Sequence, residues 1–249
     1  NTAVGYRSLY TNTTGSNNVA IGRSTLRSNT SGYQNIAIGP YSMYDNNTGI
    51  NNTAMGIQSL ANNTTGESNT AIGISSLNRS TTASYNTAVG ADANAWNTTG
   101  ASNTSVGYSA LNDNTTGTRN IAIGVLAYDN ADTESDNLAI GYNALGGAIA
   151  GGDYNIAIGN YSLDANTSGG DNVAVGYNAL TANTTGSYNT AIGYEALEAN
   201  TSSTYNTALG YKSMLKTATG GSYNTGVGAR SLENNTTGDN NTAVGVNSL

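Results

Sequence analysis

Any chemistry in this 249-residue chain has to come from carboxylates, tyrosines, hydroxyls and amides, because it contains no histidine and no cysteine. Neither a Ser-His or Cys-His nucleophile nor an imidazole or thiolate zinc site can be assembled from what remains. The densest carboxylate group is Asp129, Asp132, Glu134, Asp136 and Asp153. Oxygen ligands of this kind suit calcium, but their spacing fits neither an EF-hand loop nor a GGxGxD roll. A solvated acidic face explains them better. Among 32 glycines there is no Walker loop and no dinucleotide fingerprint. The chain is therefore read as a non-enzyme, with no catalytic, cofactor-binding or metal-ligating residues, no cofactor, and the residues of any binding site left open.

Three recurrent residue types offer binding chemistry instead. Asn12, Asn29, Asn63, Asn97, Asn114, Asn166, Asn183, Asn200 and Asn235 each open an N-x-[ST] sequon. In a glycosylating secretory pathway they would form a sugar-bearing edge, although turn chemistry alone also accounts for them. The threonines of the same turns offer ranks able to order water, as an ice-binding surface does. Against this, adjacent threonines point to opposite faces when extended, and the rank is broken at Asp132, Ile149 and Ala218. Tyrosines recur as Tyr6, Tyr108, Tyr142, Tyr177, Tyr194 and Tyr211, and again as Tyr85, Tyr154, Tyr188, Tyr205 and Tyr223. Set among Asn and Ser, they suit adaptable contacts with protein or glycan, or they stack ring on ring.

What must position all of these is a repeat. The pentapeptide NTAVG at Asn1–Gly5 recurs with small changes, its glycine falling at 5, 22, 39, 56, 73, 90, 107, 124, 141, 159, 176, 193, 210, 228 and 245. Twelve intervals are 17 residues and two are 18, and an asparagine stands four residues before every one of these glycines. A fixed period of this size is the signature of a solenoid. Two short β segments fit each unit, one at N-T-A-V-G and one around the following [SA]-L, separated by Asn/Thr/Gly turns. Glycine and asparagine in every window, with no 3.6-residue apolar stripe, exclude helix. At about 4.8 Å per coil, residues 1–249 make a single repeat domain, a rod roughly 65–70 Å long.

The columns of the repeat specify its packing. Position −2 from the repeat glycine is alanine except at Ser105 and Gly226, and position +3 is always Ser, Ala or Thr. Two columns held to tiny side chains imply close approach of opposite walls. Position −1 is always Val, Ile, Leu or Met, and position −3 carries Val19, Ile36, Ile121, Leu138, Ile156 and Val173. These alternate with the alanine and so point to the other face, which requires a cover. The alternative is a thicker monomeric coil with Val/Ile and Leu inside and Ala outside. The asparagine column reads as an amide ladder along the axis, and the glycine column as a permissive corner.

These residues carry a resemblance. Asn17-Asn18-Val19-Ala20-Ile21-Gly22 followed by Arg23-Ser24-Thr25, and Asp171-Asn172-Val173-Ala174-Val175-Gly176, resemble the NSVAIG-type repeat of YadA-like heads of trimeric autotransporter adhesins. The Asn-Thr-Ala-Val-Gly-Tyr form is similar to repeats in phage tail-fibre shafts. The resemblance implies a left-handed parallel β-roll with three chains side by side, displayed on a cell or virion surface and used for attachment. The chain departs from that family in its longer period and in the frequent Thr for Val.

Net charge is −7 with only 9% charged residues, which excludes non-specific nucleic-acid binding. There is no apolar run long enough to insert in a membrane and no signal peptide, and both ends fall inside a repeat, as in a segment of a longer array. The expectation is an extracellular fibre or adhesin head, a homo-oligomer with a trimer favoured, whose partners are a host matrix protein or glycan. A tail-fibre shaft and an ice- or glycan-binding solenoid are the alternatives. Two local expectations follow. The additional residue of each 18-residue interval should be absorbed in a turn (Gly146-Gly147 with Gly151-Gly152, and Gly220-Gly221), leaving strand faces unchanged. And Trp96 should swing over to cover the gap where Asn94 replaces the column leucine.

Overall fold

A computed structural model describes residues 1–147, 152–217 and 219–249, so that Ile149, Gly151 and Ala218 lie outside the described residues. The chain divides into two compact units, Asn1–Ile123 and Gly124–Leu249. Each unit is a parallel β-solenoid of about 17 residues per turn, with one three-residue strand per coil and no helix among the described residues. In the first unit the strands run from β1 (Thr2–Val4) to β8 (Ile121–Ile123), each paired in parallel with the next. In the second they run from β9 (Leu138–Ile140) to β15 (Thr242–Val244), paired in the same way.

The strand faces follow from the alternation. The central alanine of the strand is wholly buried in coil after coil, at Ala20, Ala37, Ala54, Ala71 and Ala88 and again at Ala139, Ala157, Ala174, Ala191 and Ala208. Its neighbours on either side are half-buried or exposed. The small column at position +3 is the opposite wall, close enough for hydroxyls to reach the alanine carbonyls: Ser8 Oγ donates to Ala20 O at 2.9 Å and Ser42 Oγ to Ala54 O at 3.2 Å. At Gly226, which stands in the alanine column, a Cβ would lie 2.9 Å from Met214 Cγ and from the hydroxyls of Ser213 and Ser231. The walls come close there, so a methyl group would have to displace those side chains, as the equivalent Met43, Ser42 and Ser59 make room for Ala54.

The outward Val/Ile column is as the thin-coil reading requires. The leucine column, however, joins alanine inside: Leu26, Met43, Leu60, Leu77, Leu111, Leu163, Leu180 and Leu197 are all fully buried. The thicker coil with Val/Ile inside and Ala outside is excluded.

The second β segment is a correction. The residues around [SA]-L form turns, because positions +2 and +4 take left-handed backbone: Ser24 (φ 54) and Leu26 (φ 48), Tyr41 (φ 60) and Met43 (φ 46). Each such residue costs about 1 kcal/mol against the right-handed basin. Inter-coil hydrogen bonds persist without strand geometry, Leu26 N donating to Ser42 O at 3.1 Å and Met43 N to Ser59 O at 3.0 Å. Together with burial of the leucine side chain, these offset the strain.

Across both 18-residue intervals the strand columns keep their register. Ile156 pairs with Leu138 and Ala157 with Ala139; Thr225 pairs with Thr207 and Val227 with Leu209. Ile158 and Val227 keep the outward face of their column. Thr217 still makes its turn hydrogen bond to Met214 O, and Asn206 Nδ2 still reaches Gly221 O at 2.8 Å. The inserted residue therefore falls between Thr217 and Gly221, where Gly220 takes φ 95 in open space. In the other interval residues 148–151, with Ile149 and Gly151, lie outside the described residues.

Candidate binding face

The outward strand face carries an apolar rank in each unit. In the first, Ile21, Met55, Ile72, Val106 and Ile123 stand 36–40% exposed in one line. In the second, Ile192 and Leu209 are exposed and Ile140, Ile158, Val175 and Val227 half-buried. Beside this line runs position −3, where threonines pair directly from coil to coil: Thr53, Thr70, Thr87 and Thr104 in the first unit, and Thr190, Thr207, Thr225 and Thr242 in the second. Side chains that leave a strand on the same side form straight ranks one coil apart, here a hydroxyl rank beside an aliphatic one.

Two amide ladders run from coil to coil. Asn35 Nδ2 donates to Asn18 Oδ1 at 3.2 Å and to Gly49 O at 2.8 Å, while Asn35 N donates to the same Asn18 Oδ1 at 3.0 Å. The pattern repeats through Asn52, Asn69 and Asn86, and in the second unit through Asn172 and Asn189. The second ladder is made by the sequon asparagines. Asn46 Nδ2 donates to Asn29 Oδ1 at 2.8 Å and to Gly49 O at 3.1 Å. Asn29, Asn63, Asn97, Asn114, Asn166, Asn183 and Asn200 are completely buried. A sugar-bearing edge is thus incompatible with the folded coil at these seven positions, because the acceptor nitrogen is inside and already donating.

The tyrosines of the second unit stack. Tyr188, Tyr205 and Tyr223 have ring centroids 4.8 and 4.9 Å apart and interplanar angles of 7° and 5°. Tyr177, Tyr194 and Tyr211 follow at 5.4 and 5.5 Å with 16° and 17°. Each pair contributes roughly 0.5–1.5 kcal/mol beyond area burial. Within these two ranks stacking turns the ring faces toward each other and leaves edges and hydroxyls outside.

The acidic group does not converge. Glu134, only 3% exposed, accepts from the backbone N–H groups of Asp132 (3.0 Å) and Thr133 (3.2 Å). Asp153 Oδ1 accepts from Ser135 N at 2.7 Å, and Asp129 accepts from Asn130 Nδ2 at 3.1 Å. The solvated acidic face is corrected at Glu134, whose carboxylate caps a turn. Among the described residues no three such side chains come together as a metal site.

One residue escapes the sequence reading. Tyr128 occupies the leucine column fully buried and its hydroxyl accepts from Asn137 Nδ2 at 2.7 Å. Burial first, and the charge of Glu134 second, push its pKa well above the usual tyrosine value. The sequence marks this coil as irregular, since Ala131 replaces its turn asparagine.

The expected movement of Trp96 does not occur. Asn94 is wholly buried in the leucine column with the same left-handed backbone (φ 50), while Trp96 stays 44% exposed with the Arg79 guanidinium 3.4 Å from its ring centroid. The cation–π contact on the outer surface holds the indole there. Trp96, Asp113 and Thr115 border a shallow depression of about 270 Å³. Comparison with known protein families, with curated proteins and with solved structures finds no match to this chain.

Proposed function

We propose that this chain is a non-catalytic structural module of an extracellular attachment fibre or adhesin head, which assembles side by side with copies of itself, three in favoured stoichiometry. The single observation that carries this reading is the uncovered aliphatic stripe beside a coil whose interior is already full of alanine, serine and leucine. A full interior leaves these side chains nowhere to go within their own chain. Apolar ranks of this extent on a soluble fold mark an association surface. The resemblance to YadA-like heads and to tail-fibre shafts agrees with parallel self-association, with attachment to a host matrix protein or glycan following from display of the fibre. Sedimentation equilibrium on the 249-residue chain tests the reading: a concentration-independent trimer is expected, and a folded monomer at every concentration rejects it.

A second reading has its own observation. The outward ranks Thr53–Thr70–Thr87–Thr104 and Thr190–Thr207–Thr225–Thr242 lie on strands, in register, beside an aliphatic rank. Such a surface orders water and suits ice. Thermal hysteresis separates the readings, since ice binding requires the face to be open and self-association requires it covered.

A further inference from the structure

We propose that the tyrosine rank Tyr188–Tyr205–Tyr223 is an oxidative coupling site, at which a one-electron oxidant of the haem-peroxidase class joins phenols of successive coils as dityrosine. The two stacks are nearly parallel, at 7° and 5°, with centroids 4.8 and 4.9 Å apart. All three rings are exposed, at 47–57%, so an oxidant reaches them. Phenoxyl radicals carry spin at the ortho carbons and combine face to face, which is the arrangement the coil already imposes. Holding two reactants in such geometry replaces a bimolecular encounter by an intramolecular one and favours it strongly.

The step balances. Each of two tyrosines loses one electron and its hydroxyl proton to give a phenoxyl radical. The radicals form one carbon–carbon bond between ortho carbons. Each of these carbons then transfers its hydrogen to its own ring oxygen, restoring both phenols. The pair has lost two hydrogens in all, and one hydrogen peroxide, reduced through the peroxidase, takes up the two electrons and two protons and leaves as two waters.

Other tyrosines are less well placed. Tyr177, Tyr194 and Tyr211 are further apart and more tilted, and Tyr41 and Tyr44 meet at 5.9 Å and 49°. Tyr85 in the first unit is engaged with Glu67 Oε1 at 2.8 Å. Coupling is therefore selective for one rank, and it ties together residues 17 or 18 apart on adjacent coils. A covalent tie between coils constrains the unfolded chain as a disulfide does.

The test treats the whole chain with horseradish peroxidase and hydrogen peroxide, and in parallel with a small ruthenium photo-oxidant and persulfate, which removes enzyme access as a variable. The expected result is dityrosine fluorescence on a chain that keeps its single-chain mass in a denaturing gel. Cross-linked peptides should join Tyr205 to Tyr188 or Tyr223 about tenfold more often than any other pair. Tyr205→Phe keeps the ring stack but should abolish these peptides, whereas Tyr6→Phe should leave them unchanged. Cross-links spread over tyrosines regardless of rank, cross-links chiefly between chains, or oxidation without dityrosine each overturn the proposal. Loss of selectivity in urea is the expected control.

Discussion

Asn63 Oδ1 has no hydrogen-bond donor among the described residues because Ser80 stands one coil along, where an asparagine would continue the ladder. The preceding rung is intact, Asn63 Nδ2 donating to Asn46 Oδ1 at 2.7 Å. Ser80 Oγ is likewise buried and unpaired, its side chain being too short to span the coil spacing. Each orphaned buried polar atom costs about 1–3 kcal/mol. Ser80→Asn should therefore stabilise the first unit by roughly 1–3 kcal/mol, read as a higher urea midpoint at unchanged slope. A midpoint that stays or falls contradicts the ladder account.

The leucine column has a parallel defect. Asn94 is fully buried with neither Oδ1 nor Nδ2 hydrogen-bonded among the described residues, between coils that carry Leu77 and Leu111. Those two leucines hold φ 49 and φ 56, close to the φ 50 of Asn94, so the backbone accepts leucine there. Asn94→Leu should stabilise by about 2–4 kcal/mol through removal of two orphaned atoms and gain of apolar burial. In the same experiment Leu77→Ala should lose about 2–5 kcal/mol. A destabilising Asn94→Leu would mean that the asparagine has a partner the packing does not reveal.

Tyr128 makes stability depend on alkaline pH. Its folded pKa is raised by burial and by Glu134, relative to an unfolded value near 10.0. The folded chain therefore holds this proton where the unfolded chain releases it. The associated stability is complete below pH 10 and declines as pH rises above it, by at most about 1.4 kcal/mol per pH unit. Urea midpoints from pH 8 to 11 should fall above pH 10 in the native chain and fall less steeply in Tyr128→Phe. Equal slopes for the two chains would remove Tyr128 as the source.

How much was legible in the sequence depended on whether a column repeats. The period, the inward alanine, the outward Val/Ile and the asparagine ladder each recur in coil after coil, and repetition isolates their physical cause. The turn at Ser24 and Leu26 was not legible, because β-branched and apolar neighbours read as strand and leucine seldom adopts positive φ. The sequon at Asn29 misled for another reason: its motif describes the chain's chemistry, whereas only the fold shows that the amide is buried as a rung. At Trp96 the apolar gap is visible in the sequence, whereas the contact with Arg79, 17 residues earlier, arises only once the coils stack.

The outward stripe separates assembly from folding. Ile38, Ile72 and Val106 lie on the side of their strands opposite to the buried alanines Ala37 and Ala71 and to Ser105. Within one chain they are half-buried or exposed, so replacing them removes little packing that the coil itself relies on. Covering an aliphatic side chain completely contributes roughly 1.5–3 kcal/mol, and a half-exposed one about half of that when a neighbour closes over it. Three carboxylates in the same rank would each have to be desolvated without a partner in any close assembly, which costs far more than the rank returns. The combined substitution Ile38→Asp, Ile72→Asp and Val106→Asp should therefore dissociate the oligomer while the circular dichroism of the coil remains. Sedimentation velocity should show a monomer for the triple variant and a larger species for the native chain. An assembled triple variant would place the interface elsewhere, and a native chain that is itself monomeric would leave the face open to water and favour the ice-binding reading.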